Sequence, residues 1–326
     1  MRTINFGIIG PGKIANRLAS SFQHAKGGKV YAVASRDETK AKEFAKTYEI
    51  EKVYNSYETL VKDPAVDVIY IATPHPFHHE QTLLCLKNGK AVLCEKPLAL
   101  NYRQASEMIE TAGKHNIFLM EAMWSRFFPA TKKVMELLKS GRIGEVKYLS
   151  ADFGFAAPHD LNNRVYNMAL GGGAQLDVGV YPMFLALLLM GKPDEIKAFS
   201  KLASTGADET TAALFSYTNG SMAHILSSII TDSPKQADIM GTEGRIVMQT
   251  PWHKSQQITL KLNSGETEEF SFPYPGNGFQ YQVEEVVNCL NAGKKESDLM
   301  PHSLSMLMAQ VNDEIRRQGG VKYSAD

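Results

Sequence analysis

Residues 4–15 read INFGIIGPGKIA, and this stretch decides the fold of the N-terminal part of the chain. A short, mostly apolar run from Ile4 to Ile9 has the composition of a buried strand, and the spacing Gly10-x-Gly12-x-x-Ala15 then leads into a helical pattern. The first glycine of such a motif permits a tight turn, the second lets the backbone approach a pyrophosphate, and the small third residue lets helix and strand pack closely. The stretch therefore predicts a dinucleotide site at a helix N-terminus.

The alternation of strand and helix patterns continues to residue 122. Short apolar runs of this kind are typical of parallel strands buried on both faces, and helical patterns lie between them. The strand candidates are 4–9, 30–34, 52–54, 66–72, 91–94 and 118–120. We therefore expect an α/β fold in which residues 1–122 form a doubly wound parallel sheet of the Rossmann type, the dinucleotide-binding domain.

After residue 123 the sequence becomes rich in strand patterns. Asn219-Gly220 lies between the strand-like segments 210–217 and 221–230, which predicts a tight hairpin. Helical patterns interrupt the strands at 130–140, 177–190, 279–292 and 303–318. We expect residues 123–326 to form a substrate-binding α+β domain with a large, mostly antiparallel sheet.

Composition excludes several classes of partner. Lysine plus arginine and aspartate plus glutamate are both 35 in the 326 residues, so no global positive field is available to hold nucleic acid or an anionic membrane. The cysteines, Cys85, Cys94 and Cys289, are odd in number and lie in apolar surroundings, which indicates a reducing compartment. With no secretory pattern at the start and no metal-site spacing, we expect a cytoplasmic protein without a metal.

The end of the second strand indicates which dinucleotide binds. Enzymes that use NAD usually place a carboxylate there for the adenosine ribose, about 20 residues after the glycine motif. This chain has Ser35-Arg36, and a guanidinium offers a planar, bidentate contact to the 2′-phosphate of NADP. Asp37 follows immediately and keeps NAD as an alternative. We expect NADP.

A lysine lies where catalytic groups of open α/β sheets are found. Cys94-Glu95-Lys96-Pro97 comes at the end of the fifth strand, and ligands of such sheets bind beyond the carboxyl ends of the strands. The proline restricts Lys96 to extended geometry and removes a main-chain donor. A surface lysine at a strand end is the alternative interpretation.

A carboxylate and a phenol follow the glycine-rich segment Gly171-Gly172-Gly173. If a helix begins near Gly173, Asp177 and Tyr181 are four residues apart and share one face. Polar groups at the start of an apolar helix are costly unless they are used. A tyrosine has a pKa of about 10, so a phenol that acts as a base near neutral pH needs a nearby cation, for which Lys96 is the candidate. We expect Lys96, Asp177 and Tyr181 to be the catalytic residues; hydrogen-bonded structural roles for Asp177 and Tyr181 are the alternative.

The remaining candidates surround the strand ends. The segment from Thr73 to His78 follows the fourth strand, where it would pass the nicotinamide ribose, although capping or packing is an equal alternative for the histidines. Trp124 and Arg126 follow the sixth strand and are expected to touch cofactor or substrate. The full set of expected cofactor contacts is Gly10, Gly12, Lys13, Ile14, Ser35, Arg36, Thr73, Pro74, His75, His78, Glu95, Lys96, Trp124 and Arg126.

Taken together, these motifs resemble the Gfo/Idh/MocA family, the oxidoreductases related to glucose–fructose oxidoreductase and inositol dehydrogenase. The likeness covers nearly the whole chain and is similar in detail to the branch of dimeric dihydrodiol dehydrogenase and NADP-dependent D-xylose 1-dehydrogenase. The segments that carry this likeness are 91–97, 120–129 and 177–181. The resemblance implies a Rossmann domain, a second domain with an open antiparallel sheet, and a homodimer, or a dimer of dimers, formed through that sheet.

The resemblance also implies a function. We expect an enzyme that moves hydride between NADP and a sugar, polyol or diol, with Tyr181 as the acid–base group and Lys96 as its neighbouring cation. Many family members have histidine where this chain has Tyr181, which argues against the inositol dehydrogenases. Two alternatives stay open: an NAD-dependent glycosidase of the same family and a non-catalytic NADP-binding sensor.

Overall fold

The structure, a computed structural model, describes residues 2–326. The chain divides into two compact units. The first unit contains Met1–Phe127 and Tyr274–Met306, and the second contains Phe128–Pro273 and Leu307–Asp326.

The first unit is built on a parallel sheet. Its strands are β1 (Ile4–Ile9), β2 (Gly28–Ala34), β3 (Lys52–Tyr54), β4 (Val68–Ile71), β5 (Ala91–Glu95) and β6 (Leu119–Ala122). They lie in the order β3-β2-β1-β4-β5-β6, the order of a dinucleotide-binding fold, and every pair is parallel. The crossover helices are α1 (Lys13–Ser21), α2 (Glu38–Tyr48), α3 (Tyr57–Val61), α4 (His78–Lys87) and α5 (Tyr102–His115). The predicted Rossmann sheet is confirmed.

The second unit is built on a larger sheet. Its helices are α6 (Pro129–Lys139) and α7 (Val180–Met190). Its strands are β7 (Val146–Gly154), β8 (Glu195–Leu202), β9 (Asp208–Ser216), β10 (Met222–Ser228), β11 (Ala237–Gly241), β12 (Gly244–Met248), β13 (Gln257–Leu262) and β14 (Thr267–Ser271). The strand order is β14-β13-β12-β11-β7-β10-β9-β8, and the pairs are antiparallel except for β7 with β10. The mostly antiparallel sheet and the hairpin at Asn219-Gly220 are confirmed.

One segment of the second unit is apolar enough to span a membrane by length and composition. It runs from Met168 to Met190, and 78% of its most apolar window is buried inside the protein. Within it, α7 packs on β7 and β10 of its own sheet. Burial inside the protein accounts for the hydropathy of this segment, as the sequence predicts for a core helix.

The last helices are α8 (Gln280–Asn291) and α9 (His302–Gly319). The sequence pattern assigns the whole of 123–326 to the second domain, whereas residues 274–306 cluster with the first unit. The reason is packing: the Phe279 ring lies 4.5 Å from that of Trp124, and Leu119 of β6 donates its main-chain N–H to the carbonyl of Lys295 at 3.1 Å. A boundary drawn along the sequence cannot show that the chain returns to its first unit.

Candidate active site

The turn after β1 has the geometry that its glycines predict. Gly10 has a φ of +86°, and a Cβ at this position would lie 2.8 Å from Cγ2 of Thr73, so only glycine fits. Ala15 is fully buried, which lets α1 pack closely on the sheet. The first and third positions of the motif are therefore required by the fold itself.

Gly12 serves a different purpose. It caps α1 without a side-chain hydrogen bond, the first turn of α1 contains no acidic residue, and a Cβ on Gly12 would meet no protein atom within 4 Å. Lys13 is exposed and Ile14 half-buried beside it. The N-terminus of α1 thus combines open space beside Gly12 with a favourable dipole, so the residues fit a dinucleotide pyrophosphate.

At the end of β2, the serine and the two charged residues have separate roles. Ser35 is buried, and its hydroxyl accepts the main-chain N–H of Asp37 at 3.1 Å. The Asp37 carboxylate caps α2 by accepting the N–H of Lys40 at 3.2 Å, and this bond lowers the pKa of Asp37. Arg36 is exposed, with its guanidinium 5.8 Å from the centre of the Phe77 ring. The Arg36 guanidinium is therefore open to a ligand, whereas the Asp37 carboxylate is bound to the main chain of α2. This arrangement favours binding of the 2′-phosphate of NADP over binding of the ribose hydroxyls of NAD.

The loop after β4 is held from inside. Thr73 donates its hydroxyl to Oε1 of Gln81 at 2.7 Å, and Pro74 caps a single 3-10 turn that contains the buried His75. His78 is fully buried, and its two ring nitrogens each lie 2.9 Å from a main-chain carbonyl, one of Thr73 and one of Pro97. Burial lowers the pKa of His78. His78 therefore contacts the backbone of both loops, and its predicted contact with the cofactor stays a prediction.

Lys96 lies directly beyond β5, and its peptide bond to Pro97 is cis. Lys96 is half-buried, whereas Glu95 before it is buried and accepts the Tyr70 hydroxyl at 2.5 Å. Burial raises the pKa of Glu95 to about 6, although the Lys96 charge opposes that rise. The lysine therefore stands at the carboxyl edge of the sheet with a buried carboxyl behind it.

Trp124 and Arg126 lie after β6, as expected, and both are engaged in packing. The Trp124 ring packs on Phe279, and Arg126 donates Nε to the carbonyl of Leu299 at 2.7 Å. Burial lowers the pKa of Arg126. Their predicted contact with cofactor or substrate stays a prediction, but each also fixes the segment 274–306 on the first unit.

In the second unit, the segment that leads to Tyr181 departs from the predicted helix. Gly172 and Gly173 pass close to the backbone, since a Cβ on Gly172 would lie 2.8 Å from the carbonyl oxygen of Val165. The residues Gln175–Gly179 then form a π-helix, and α7 begins only at Val180. The helix expected from near Gly173 is present from Ala174, but residues 175–179 form a π turn in place of the ordinary α-helical turn.

The Asp177 side chain is paired with a residue that the sequence analysis did not identify. Its Oδ1 accepts Nη2 of Arg164 at 2.8 Å, and the Asp177 side chain is only 13% exposed. Arg164 lies in a 3-10 turn of an irregular segment, 13 residues before Asp177. No periodicity links the two positions, so only the tertiary structure shows this pair.

Tyr181 belongs to an aromatic cluster that contains a second missed residue. The rings of Phe153 and His253 are stacked with their centres 4.3 Å apart, and they lie 5.3 and 5.6 Å from the Tyr181 ring. His253 and Tyr181 are both buried. Phe153 and His253 therefore give the Tyr181 phenol an aromatic surrounding. Among residues 2–326, no group of side chains has the arrangement of a metal site.

Comparison with known protein families gives one match in each unit. Residues 4–123 match the oxidoreductase family with an NAD-binding Rossmann fold, and residues 131–247 match the GFO/IDH/MocA C-terminal domain. The chain is 40% identical to the trans-1,2-dihydrobenzene-1,2-diol dehydrogenase of Xenopus tropicalis, over 98% of each chain. It is 36% identical to the human enzyme of that name, over 99% of each.

Solved structures have the same fold. A 3-ketoreductase from Actinomadura kijaniata in complex with NADP and TDP-benzene superposes with a TM-score of 0.87 at 25% identity, with 98% of each chain covered. An aldose–aldose oxidoreductase from Caulobacter crescentus superposes with a TM-score of 0.89 at 23% identity, again over 98% of each chain, which shows a shared fold.

The open space at Gly12 leads to a prediction. Gly12→Ala adds a methyl group that touches no protein atom, so the free energy of unfolding should change by less than about 1 kcal/mol. The same methyl group occupies the space of the pyrophosphate, so the Kd for NADPH should rise at least about tenfold. Fluorescence titration and urea denaturation measure the two effects.

Gly113→Ala is the matched control, because Gly113 also has open space at its Cβ and no positive φ, but lies in α5. NADPH affinity should be unchanged in this variant. Equal affinity of Gly12→Ala and the unaltered protein would show that the phosphates bind elsewhere.

Proposed function

Because the chain belongs to the Gfo/Idh/MocA family of NAD(P)-dependent oxidoreductases, we propose that it oxidises a cyclic vicinal diol, or reduces the corresponding ketone, with NADP as its preferred cofactor. The observation that carries the substrate class is 36–41% identity to dihydrodiol dehydrogenases over 98–99% of the chain. A sugar or polyol is the second candidate class, supported by the fold shared with an aldose oxidoreductase.

Three side chains carry the reaction in this proposal. NADP, when bound, would supply the hydride acceptor for the oxidative direction. Tyr181 takes the proton of the reacting hydroxyl, and Lys96 donates a hydrogen bond to the same oxygen while its charge favours the ionised phenol. In the reductive direction both transfers reverse. Hydride and proton together account for the two hydrogens that leave the alcohol.

Asp177 has a different part in this mechanism. Its pairing with Arg164 orients the carboxylate, and in this proposal the carboxylate accepts a substrate hydroxyl next to the reacting one. A vicinal diol presents two such hydroxyls. In this proposal the stacked rings of Phe153 and His253 contact the substrate ring that carries both hydroxyls.

The first prediction of this proposal concerns the proton. Tyr181→Phe should lower the single-turnover rate of hydride transfer by about 10²–10⁴-fold, because general acid–base catalysis typically contributes that much. Lys96→Met should lower it at least as much, and the double variant should be little worse than the slower single variant, as expected of groups that act as a unit. NADPH absorbance under stopped flow, with trans-1,2-dihydrobenzene-1,2-diol as substrate, measures these rates.

Cofactor affinity is the control for these variants and should be nearly unchanged in Tyr181→Phe. A rate close to that of the unaltered enzyme on its best substrate would rule out Tyr181 as the proton carrier. The same assay distinguishes the alternatives, since a glycosidase with bound NAD would release sugar without net change in absorbance, and a sensor would bind NADP without turnover.

The second prediction concerns the choice of cofactor. Arg36 is exposed at the end of β2, whereas Asp37 is occupied by its capping bond. Arg36→Ala should weaken NADP binding by roughly 1.5–3 kcal/mol, about tenfold to a hundredfold, and leave NAD binding nearly unchanged. Titration of both cofactors into both proteins measures this selectivity; equal losses would remove Arg36 from the phosphate site.

We also propose that the protein works in the cytoplasm as a homodimer. The three cysteines are free and buried, which is consistent with a reducing compartment. The outer face of the second sheet exposes apolar side chains, among them Phe199 at 80%, Leu214 at 43% and Met222 at 41%. They lie on the neighbouring strands β8, β9 and β10. An apolar area of this kind on a sheet supports pairing with a second copy.

The dimer leads to a third prediction. Phe199→Asp combined with Leu214→Asp places two charges on this face and should convert the dimer to a monomer, as measured by light scattering at micromolar concentration. Tyr102→Asp, an exposed aromatic position on the first unit, is the control and should leave the dimer intact. A double variant that remains dimeric would exclude this face as the interface.

A further inference from the structure

The loop that contains Lys96 is bound by buried side chains at three successive residues. Lys96 donates its main-chain N–H to Oε2 of Glu95 at 3.3 Å, the Pro97 carbonyl lies 2.9 Å from Nδ1 of His78, and Leu98 donates its N–H to Oε1 of Glu121 at 3.0 Å. These three side chains come from β5, α4 and β6. The path of the loop, and with it the starting point of the Lys96 side chain, is therefore fixed by polar groups in the core.

Glu121 is the unexpected member of this set. It is 3% exposed, and its second oxygen, Oε2, is buried without a hydrogen-bond partner among the described residues. A carboxylate in such surroundings lowers the stability of the fold, and a leucine or methionine would suit a buried strand better. Groups that cost stability in this way are found mainly where function uses them.

We propose that Glu121 is a positioning residue for the reaction, and that its ionised carboxylate, bound to the Leu98 N–H, holds Lys96 in its working position. This inference rests on the role proposed for Lys96 above. A charged acceptor forms a hydrogen bond to an N–H group about twice as strong as a neutral acceptor does. Ionised Glu121 therefore holds the loop more firmly than the neutral acid, and small displacements of a catalytic group lower rates strongly.

The surroundings of Glu121 place its titration near neutral pH. Burial raises the pKa of Glu121 to about 7, the nearby hydroxyl of Ser305 on α9 opposes that rise, Glu95 adds to it and Lys96 opposes it. The buried thiol of Cys94 also faces it, and burial holds the pKa of that thiol well above its usual range. Glu95, which itself has a pKa raised to about 6 by burial, stays ionised above neutral pH. The rate of hydride transfer should therefore rise as pH increases through about 7.

The stability of the fold should fall as pH rises, whereas the rate of hydride transfer should increase. The pKa of this carboxyl is higher in the folded protein than the value of about 4.3 in an unfolded chain. Its contribution to stability is therefore complete below the unfolded value and is lost as pH rises through about 7. A residue that only maintained the fold would support activity and stability together, whereas Glu121 supports activity in the form that destabilises the fold.

Glu121→Gln is the decisive variant because an amide keeps an oxygen for the Leu98 N–H and removes the charge. At pH 8 it should lower single-turnover hydride transfer about 3- to 10-fold, abolish the inflection near pH 7, and leave the melting temperature equal or higher. Glu121→Ala removes the acceptor and should lower the rate by more. It should also accelerate amide hydrogen exchange in the peptide 95–100, a readout that needs no substrate.

Ser305→Ala tests the titration without altering Glu121. Removal of the hydroxyl should move the inflection to higher pH and leave the rate at high pH unchanged. Glu110→Gln, an exposed carboxyl on α5, is the control and should change neither the rate nor the pH profile.

Two outcomes would overturn the proposal. One is a Glu121→Gln protein with the rate and pH profile of the unaltered enzyme. The other is a Glu121→Gln protein that loses activity and stability together at pH 8, which would indicate a purely structural role. Either result is separate from the proposed function, because Lys96→Met would still lower hydride transfer at least about 10²-fold if Lys96 acts as proposed.

Discussion

The parallel alignment of six strands is the constraint on which the first unit depends. Because all strands run in one direction, their carboxyl ends meet at one edge of the sheet, and every residue that follows a strand arrives there. This brings the turn at Gly10, Arg36 after β2, Thr73 after β4 and Lys96 after β5 to a common edge, although nearly 90 residues of sequence separate the first from the last. The common direction of the strands is enough to bring these positions to one edge.

Polar groups buried beneath that edge then define its details. His78 joins the loops after β4 and β5 through two carbonyls, and Glu121 binds the N–H next to Pro97. Each main-chain polar group in a buried loop needs a partner, and here side chains provide several of them. The backbone at residues 96–98 is thus held by side chains that are buried and titratable.

In the second unit, hydrogen bonds from residues far along the chain hold the backbone that leads to Asp177. Asp208 is fully buried and accepts the N–H of Gln175 at 2.8 Å, and Tyr323 donates its hydroxyl to the carbonyl of Gly172 at 2.6 Å. These bonds hold the glycine-rich turn and the start of the π-helix from both sides. A π-helix is rarer than an α-helix and is often found at functional sites, which agrees with the place of Asp177 in it.

The sequence by itself determined the elements whose signals are local. Periodicity, glycine positions and apolar runs are properties of neighbouring residues, so the sequence shows them directly. They predict the buried parallel strands, the glycine turn, the Asn219-Gly220 hairpin and the apolar helix α7. The positions of Lys96 and Arg36 after strand ends could be predicted as well, and their roles stay predictions.

Only the tertiary structure decided the rest, because those features depend on residues far apart in the chain. The return of segment 274–306 to the first unit depends on Phe279 and Trp124, which no pattern connects. The pair of Arg164 and Asp177 and the stacking of His253 on Phe153 are of the same kind. The π-helix was also hidden, because the sequence alone shows the spacing of an ordinary helical turn.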